Sequence, residues 1–325
     1  MKTKKRFIRA GKFILSLSLL VYLFSKVDVN NLWTQLKELN VYVFLLAFGI
    51  LLVQCVLSSS KWKIILTADD KKVPFWFLLK SYLIGNFISL FLPTSFGGDI
   101  YRIYTLKSYN KDYLQNTSSV LFDRTTGLFA LASISVISIS IFYKDFINYK
   151  FLILYGVGLC AFLLFTSKYM IMKLNGINNK YIKPIIRIIV SFHKYRTNKK
   201  ILFFSLLISF LFQSNIVILN KFYCHALNID LPLSYLFMVI PIIYLTEALP
   251  ISINGLGVRE SAFVFFLTRK GVLPEEALAL GLLVITIRYL FSLFFGGTLF
   301  LREMTSTSAT QDNGNKAKNL PLSIN

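Results

Sequence analysis

Long apolar runs separated by short polar connections fill almost the whole chain. Eight runs stand out, at residues 11–27, 41–58, 75–92, 119–142, 151–171, 201–224, 233–249 and 277–300. Each approaches the ~20 apolar residues that a helix needs to cross a bilayer core. Inside hydrocarbon a backbone amide finds no water, so its hydrogen bonds must close within the segment. The pattern predicts an all-α polytopic integral membrane protein. One transmembrane domain spans residues 1–302, and the polar stretch 303–325 reads as a disordered cytoplasmic tail.

Composition supports this class. Of the 325 residues 55% are hydrophobic, and 31 are Phe. The net charge of +21 would suit nucleic acid in a soluble protein. In a membrane protein it reads as cytoplasmic loops facing anionic lipid, and no nucleic-acid partner is expected. Cys55, Cys160 and Cys224 sit within apolar runs as small core residues, and His193 and His225 are isolated. No disulfide framework, metal site or cofactor is expected. The first run follows six basic residues but leads into Lys26-Val27-Asp28 without a small-residue cleavage site. It reads as a retained span.

The charge distribution then sets the topology. Residues 1–12 hold six Lys and Arg, and residues 168–200 hold nine with no acid. Both segments should be cytoplasmic, which requires an even number of crossings between them. Five runs lie between. Run 75–92 is followed by Pro93 and by Gly97-Gly98, so it is expected to enter, break and return to the same side. Run 233–249, followed by Pro250 and by Gly255-Leu256-Gly257, should do the same. Each half becomes span, span, broken re-entrant helix, span. Repeat 1 covers about 11–142 and repeat 2 about 151–300, inverted relative to one another, with both termini cytoplasmic. Two steeply tilted broken spans would give the same sidedness. Between the halves, Tyr181–Lys194 is amphipathic, with Ile182, Ile185, Ile186 and Ile189 on one face. It reads as an interfacial helix that starts near Pro184.

The two breaks carry one motif. Leu92-Pro-Thr-Ser95-Phe-Gly97-Gly98-Asp99-Ile-Tyr-Arg102 and Leu249-Pro-Ile-Ser252-Ile-Asn254-Gly255-Leu-Gly257-Val-Arg259 both fit L-P-x-S-x-x-G-x-x-x-R, offset by 157 residues. Helix breakers at matching places in two halves of a membrane protein point to a binding site at the repeat interface. Proline ends one half-helix, glycine lets the chain turn, and the next half-helix presents free N–H groups and a positive dipole end. Arginine adds a bidentate donor for phosphate or carboxylate. Eight ionisable residues lie at membrane depth: Asp99, Arg102, Asp123, Arg124, Glu247, Arg259, Glu260 and Arg288. Each must find protein, water or a partner there. A self-neutralising ion-pair network that holds the halves together accounts for them equally well. Asp123/Arg124 and Arg259/Glu260 are sequence neighbours and are not expected to face each other on a helix, so their partners should come from the other half. No motif of a catalytic centre is present, and no enzyme activity is expected.

Three stretches carry a resemblance: the Gly97-Gly98-Asp99-x-x-Arg102 copy, Asp123-Arg124-Thr125-Thr126-Gly127, and Gly255-x-Gly257-x-Arg259-Glu260. Over roughly residues 5–305 the chain resembles the lysylphosphatidylglycerol synthase transmembrane-region family, also called flippase-like domain proteins. Asp123 stands where the family often has Glu. In bifunctional members this domain translocates aminoacylated phosphatidylglycerol, and a separate C-terminal domain makes that lipid. This chain is expected to be a stand-alone member without aminoacyl transfer. The resemblance implies binding and flipping of an anionic phospholipid or lipid-linked phosphate across the cytoplasmic membrane, with an envelope-lipid biosynthetic enzyme as a partner class. Asp99 and Arg102 are expected to face Arg259 and Glu260, with Arg124 and Arg288 lining the site. Ser95, Gly97, Gly98, Ser252, Asn254, Gly255 and Gly257 would supply the broken backbone around a headgroup, and Asp123 and Glu247 are candidates for ion or proton coupling. Two alternatives stay open: a non-catalytic membrane partner of a lipid-modifying or glycosyl-transfer enzyme, and a membrane-embedded transferase.

Overall fold

The computed structural model describes Ser18 and residues 40–92, 96–142, 183–248, 252 and 254–305. Runs 11–27 (Ser18 aside) and 151–171, most of the tail, and Pro93, Ser95 and Pro250 of the two motifs lie outside the described residues. Among the described residues every regular element is a helix. In chain order they are α1 (Val41–Thr67), α2 (Phe75–Phe91), α3 (Gly97–Thr105), α4 (Tyr113–Phe142), α5 (Lys183–Thr197), α6 (Lys199–Ala226), α7 (Leu233–Ala248), α8 (Val258–Leu267) and α9 (Pro274–Phe291). Helix α9 continues through a π-helical segment, Ser292–Gly297, and ends at Thr305.

Among the described residues four helices are long and apolar enough to cross a membrane: α1, α4, α6 and the extended α9, of 27, 30, 28 and 32 residues. At 1.5 Å per residue each is about 40 Å or longer, which exceeds the ~30 Å hydrocarbon core. Their outward surfaces are apolar, with Leu45, Phe203, Leu211 and Phe294 exposed. Such a surface suits lipid rather than water. Helices α2 and α7, of 17 and 16 residues, are shorter and behave differently.

Each short helix folds back on its successor. In the first hairpin Thr105 Oγ1 donates to Ser81 Oγ at 3.3 Å, and the Gly98 amide donates to Ser89 Oγ at 2.8 Å. Helices α2 and α3 are therefore antiparallel. The backbones touch where glycine faces glycine, and a Cβ on Gly98 would lie 2.6 Å from the Gly85 carbonyl oxygen. In the second hairpin Tyr235 Oη donates to the Phe266 carbonyl at 2.6 Å. Gly255 and Gly257, at φ 78° and 80°, and Asn254, at φ 51°, make the turn. These are left-handed conformations that glycine and asparagine tolerate best.

Long helix, short helix, break, shorter helix and long helix thus occur in order as α1–α4 and again as α6–α9. Helices α1 and α6 lie side by side and antiparallel: Gln54 Nε2 donates to Asn215 Oδ1 at 2.9 Å, and Lys61 Nζ to Ser209 Oγ at 3.0 Å. Each series also packs its last helix on the other's hairpin. Ser135 and Ser138 of α4 each donate, at 3.0 Å, to the Met238 and Ser234 carbonyls of α7. Gly296 of α9 lies against Leu83 and Phe87 of α2, and the Lys80–Glu303 ion pair closes at 2.9 Å beyond it.

Helix α5 packs on the ends of α1 and α4. Its buried face carries Ile186, Ile189 and Tyr195, whereas Ile185 is exposed and Ile182 lies outside the described residues. The helix docks by Tyr195 Oη donating to Asp69 Oδ2 at 2.5 Å, by Lys194 on the same carboxylate and by Phe192 against Phe122. Ile185 turns away from that seat. Burial, with Asp69 alongside, raises the Tyr195 phenol above its ordinary pKa.

The glycine contacts make a stability prediction. Gly98→Ala and Gly296→Ala each put a methyl into backbone or Phe87, and each should cost about 1–3 kcal/mol as overpacking. A Cβ on Gly49, in α1, meets nothing within 4 Å, so Gly49→Ala should be neutral or stabilising by up to about 1 kcal/mol. Thermal unfolding in detergent micelles should place Gly49→Ala above the other two variants.

Candidate lipid-headgroup site

The two motif copies meet at their tips. Asn254, held at the second tip, donates through Nδ2 to the Ser89 and Leu92 carbonyls at 3.1 Å each. Those are among the last carbonyls of α2, which no turn of helix follows to satisfy. Beside this junction lies a cavity of about 420 Å³, within the usual range for small-ligand sites. Its wall comes from both series: Gln54 and Ser58 of α1, Asn86 and Ser89 of α2, Arg124 of α4, Gln213 of α6, Tyr244 and Glu247 of α7, and Arg288 of α9.

Two ion-pair clusters buttress the cavity, one per series. The first centres on Asp123, whose carboxylate takes Lys61 at 2.9 Å, Arg102 at 3.0 Å and a hydrogen bond from Tyr82 Oη at 2.6 Å. Lys61 Nζ also donates to the Asp123 carbonyl at 2.8 Å. The Arg102 guanidinium packs on the rings of Trp62 and Tyr82, 4.2 and 3.9 Å from their centroids. It also pairs with Asp99 at 3.3 Å, and Asp99 in turn holds Arg124. Asp99 sits in the first turn of α3, where the positive end of the helix favours an anion.

The second cluster centres on Arg259, which is fully buried. Its Nε and Nη2 donate to Glu260 Oε1 at 3.2 and 2.5 Å, and Nη1 lies 3.5 Å from Glu247. Glu260 also accepts the Gly257 amide at 2.7 Å and so caps α8. Arg288 takes the other Glu247 oxygen at 2.7 Å.

Several expected juxtapositions change. Arg259 and Glu260 do pair directly, although they are sequence neighbours: Glu260 curls back to cap the helix start, which brings its carboxylate under the guanidinium of the preceding residue. The ion-pair partners come from the same series, not from the opposite one. Asp99 and Arg102 do not face Arg259 and Glu260, because each pair is neutralised within its own cluster. The two motif arginines are 4% and 0% exposed, whereas the side chains of Arg124 and Arg288 are 37% and 34% exposed and line the cavity. Asn254 and Glu247 also line it. Gly97 packs on Leu92, Gly255 on Glu247, Gly98 and Gly257 start helices, and Ser252 is buried.

Lys61, Trp62, Tyr82 and Gln213 were not legible as site residues. Lys61 follows Ser58-Ser59-Ser60 and precedes Trp62-Lys63, a polar stretch that looks like the end of a span. In the structure α1 runs on to Thr67.

A bundle of apolar helices with paired charges buried behind a polar cavity defines a polytopic α-helical membrane protein. The chain belongs to the family described as the lysylphosphatidylglycerol synthase TM region, whose model matches residues 9–296. It is also similar to the UPF0104 membrane protein MJ1078 of Methanocaldococcus jannaschii, with 29% identity over 219 residues, covering 66% of this chain and 93% of the relative.

The difference in burial is testable. Glu260→Gln leaves the Arg259 guanidinium short of an anion in a dry site and should cost about 3–5 kcal/mol. Arg124→Gln, at a partly open side chain, should cost about 1 kcal/mol or less. Equal loss of thermal stability in the two variants would contradict the distinction between buttress and lining.

Proposed function

We propose that this protein binds the headgroup of an anionic lipid in the cavity between its two hairpin tips and carries that headgroup across the cytoplasmic membrane. The observation that carries the reading is the pairing of Arg124 and Arg288. One comes from each series, both line one cavity, and both are held in place by carboxylates, Asp99 and Glu247. Planar guanidiniums fixed in this way suit a phosphate oxygen. Family membership supports a lipid ligand. On this reading no covalent bond is made or broken, and movement is downhill or coupled to an ion through the Asp123 or Glu247 cluster.

The same reading takes α1–α4 and α6–α9 as inverted repeats. Counterpart helices α1 and α6 run antiparallel, as a two-fold axis in the membrane plane requires. The basic segments then place both termini, α5 and the α3–α4 turn in the cytoplasm.

Two experiments test this. In proteoliposomes containing fluorescent phosphatidylglycerol, the protein should make inner-leaflet probe accessible to external dithionite. Arg124→Ala and Arg288→Ala should each slow that exchange about tenfold or more, the loss of one charged hydrogen bond. Wild-type exchange no faster than in empty vesicles would refute the transport reading. Single cysteines replacing Ser108 and Asn228, both exposed, should label from the cytoplasm and from outside respectively; labelling of both from one side would end the inverted arrangement.

A further inference from the structure

Building on the transport reading and its sidedness, we propose that α5 is a strap that closes the cytoplasmic approach to the cavity and must lift before the cavity opens to that side. Two helices mark out the approach. Along α1 the side chains pass from Gln54 and Ser58 at the cavity to Lys61 and Ile65, and then to Asp69 beyond the helix end. Along α6 they pass from Gln213 at the cavity to Ser209, Ser205 and Leu202. The upper part of this seam is polar: Lys61 Nζ holds the Asp123 carboxylate at 2.9 Å and donates to Ser209 Oγ at 3.0 Å.

The lower part is apolar, and α5 completes it. Ile65, Phe122 and Tyr195 are at most 1% exposed, with Phe192 and Leu202 packed against them. The rings of Phe192 and Tyr195, both from α5, lie 5.5 and 5.2 Å from that of Phe122. Phe122 is the residue before Asp123, so α5 seats directly against the first ion-pair cluster. An apolar constriction of this kind excludes water and charged groups together. Above it, Ser205 is fully buried and its Oγ has no hydrogen-bond partner. A hydroxyl left unpaired is costly, and a seam that admits water once α5 lifts relieves that cost in the open state.

The strap is also tied to both series. It docks on the first through Lys194 and Tyr195 on Asp69, and through Arg187 on Asp112, which caps α4, at 2.7 Å. It then runs into α6 of the second across a single residue, Asn198. Rocking of α6 against α1 and α4 therefore pulls α5 from its seat. The side chains of Lys194 and Arg187 are 52% and 62% exposed, and ion pairs so open to water release at little cost.

The test measures access to the cavity. In a chain whose three cysteines are replaced by serine, Ser58→Cys on the cavity wall is modified by impermeant sulfonatoethyl methanethiosulfonate, applied to one face of sealed vesicles at a time. Tyr195→Phe should raise the cytoplasmic rate about tenfold, the loss of one hydrogen bond to a charged group, and leave the rate from outside unchanged. Arg187→Gln, at an exposed clasp that the fold does not need, should raise it about threefold. Unchanged cytoplasmic rates in both variants would overturn the strap, and so would a rise from both faces, which marks general loosening. A Lys194→Cys variant modified only from outside would refute the sidedness on which the strap rests. In a second arm, cysteines replacing the exposed Asp70 and Lys194 are bridged by a thiol-cleavable bismaleimide in the same cysteine-free chain without Ser58→Cys. Bridging should slow phosphatidylglycerol exchange in proteoliposomes about tenfold or more, and cleavage should restore it. Equal exchange before and after cleavage would also overturn the strap, whereas no exchange in either state would count against the transport reading and leave the modification rates to decide.

Discussion

Asp123 is a carboxylate in the middle of an apolar bundle, and much of the first series is arranged around its charge. A lone carboxylate in so dry a place would cost several kcal/mol, so Lys61 from α1, Tyr82 from α2 and Arg102 from α3 all converge on it. Lys61 reaches across to Ser209 of α6 as well, which ties the cluster to the second series. Removing any one member leaves the others short of a partner. The second series meets the same requirement with different wiring: Arg259 is at the centre, and Glu260 and Glu247 stand around it.

Once the deep charges are neutralised internally, the residues left at the cavity wall are free to differ in purpose. Arg124 and Arg288 each keep a carboxylate behind them and a surface toward the cavity. That arrangement fixes their direction without burying them, so binding a ligand costs little side-chain ordering. The broken helices contribute in a second way. Their tips end in unsatisfied carbonyls, and one tip caps the other through Asn254. The junction lies beside a polar cavity, the setting in which a broken helix is tolerated within a membrane protein.

Where the residues mattered most, local rules and tertiary contacts gave different answers. Spacing along an ideal helix argued against an Arg259–Glu260 pair, but the left-handed turn at Gly257 and the cap at its amide bring them together. The serines and lysines after residue 57 read as the end of a span, whereas Lys61 and Ser59 are buried and α1 continues past them. Hydropathy scores a lysine as a membrane exit whether or not a carboxylate waits for it on another helix. In α5 the docking partner Asp69 lies on the loop after α1 and is invisible to periodicity.

The sequence by itself determined the class of the protein, the order of its described helices, the place of both breaks and the family. Each of these follows from local physics: run length against bilayer thickness, proline and glycine against helix geometry, and a motif contained in a few contiguous residues. Tertiary structure decided which charges are structural and which reach the cavity. Arg102 and Arg259 follow the breaks directly, and Arg124 and Arg288 lie on the long helix after each. Packing turns one of each pair inward and leaves the other at the wall: Trp62 of α1 and Tyr82 of α2 cover Arg102, and Glu247 of α7 and Glu260 of α8 hold Arg259. Pairing depends on residues of other helices, 21 positions away for Arg102 and Asp123 and 41 for Arg288 and Glu247, and no short-range pattern encodes it.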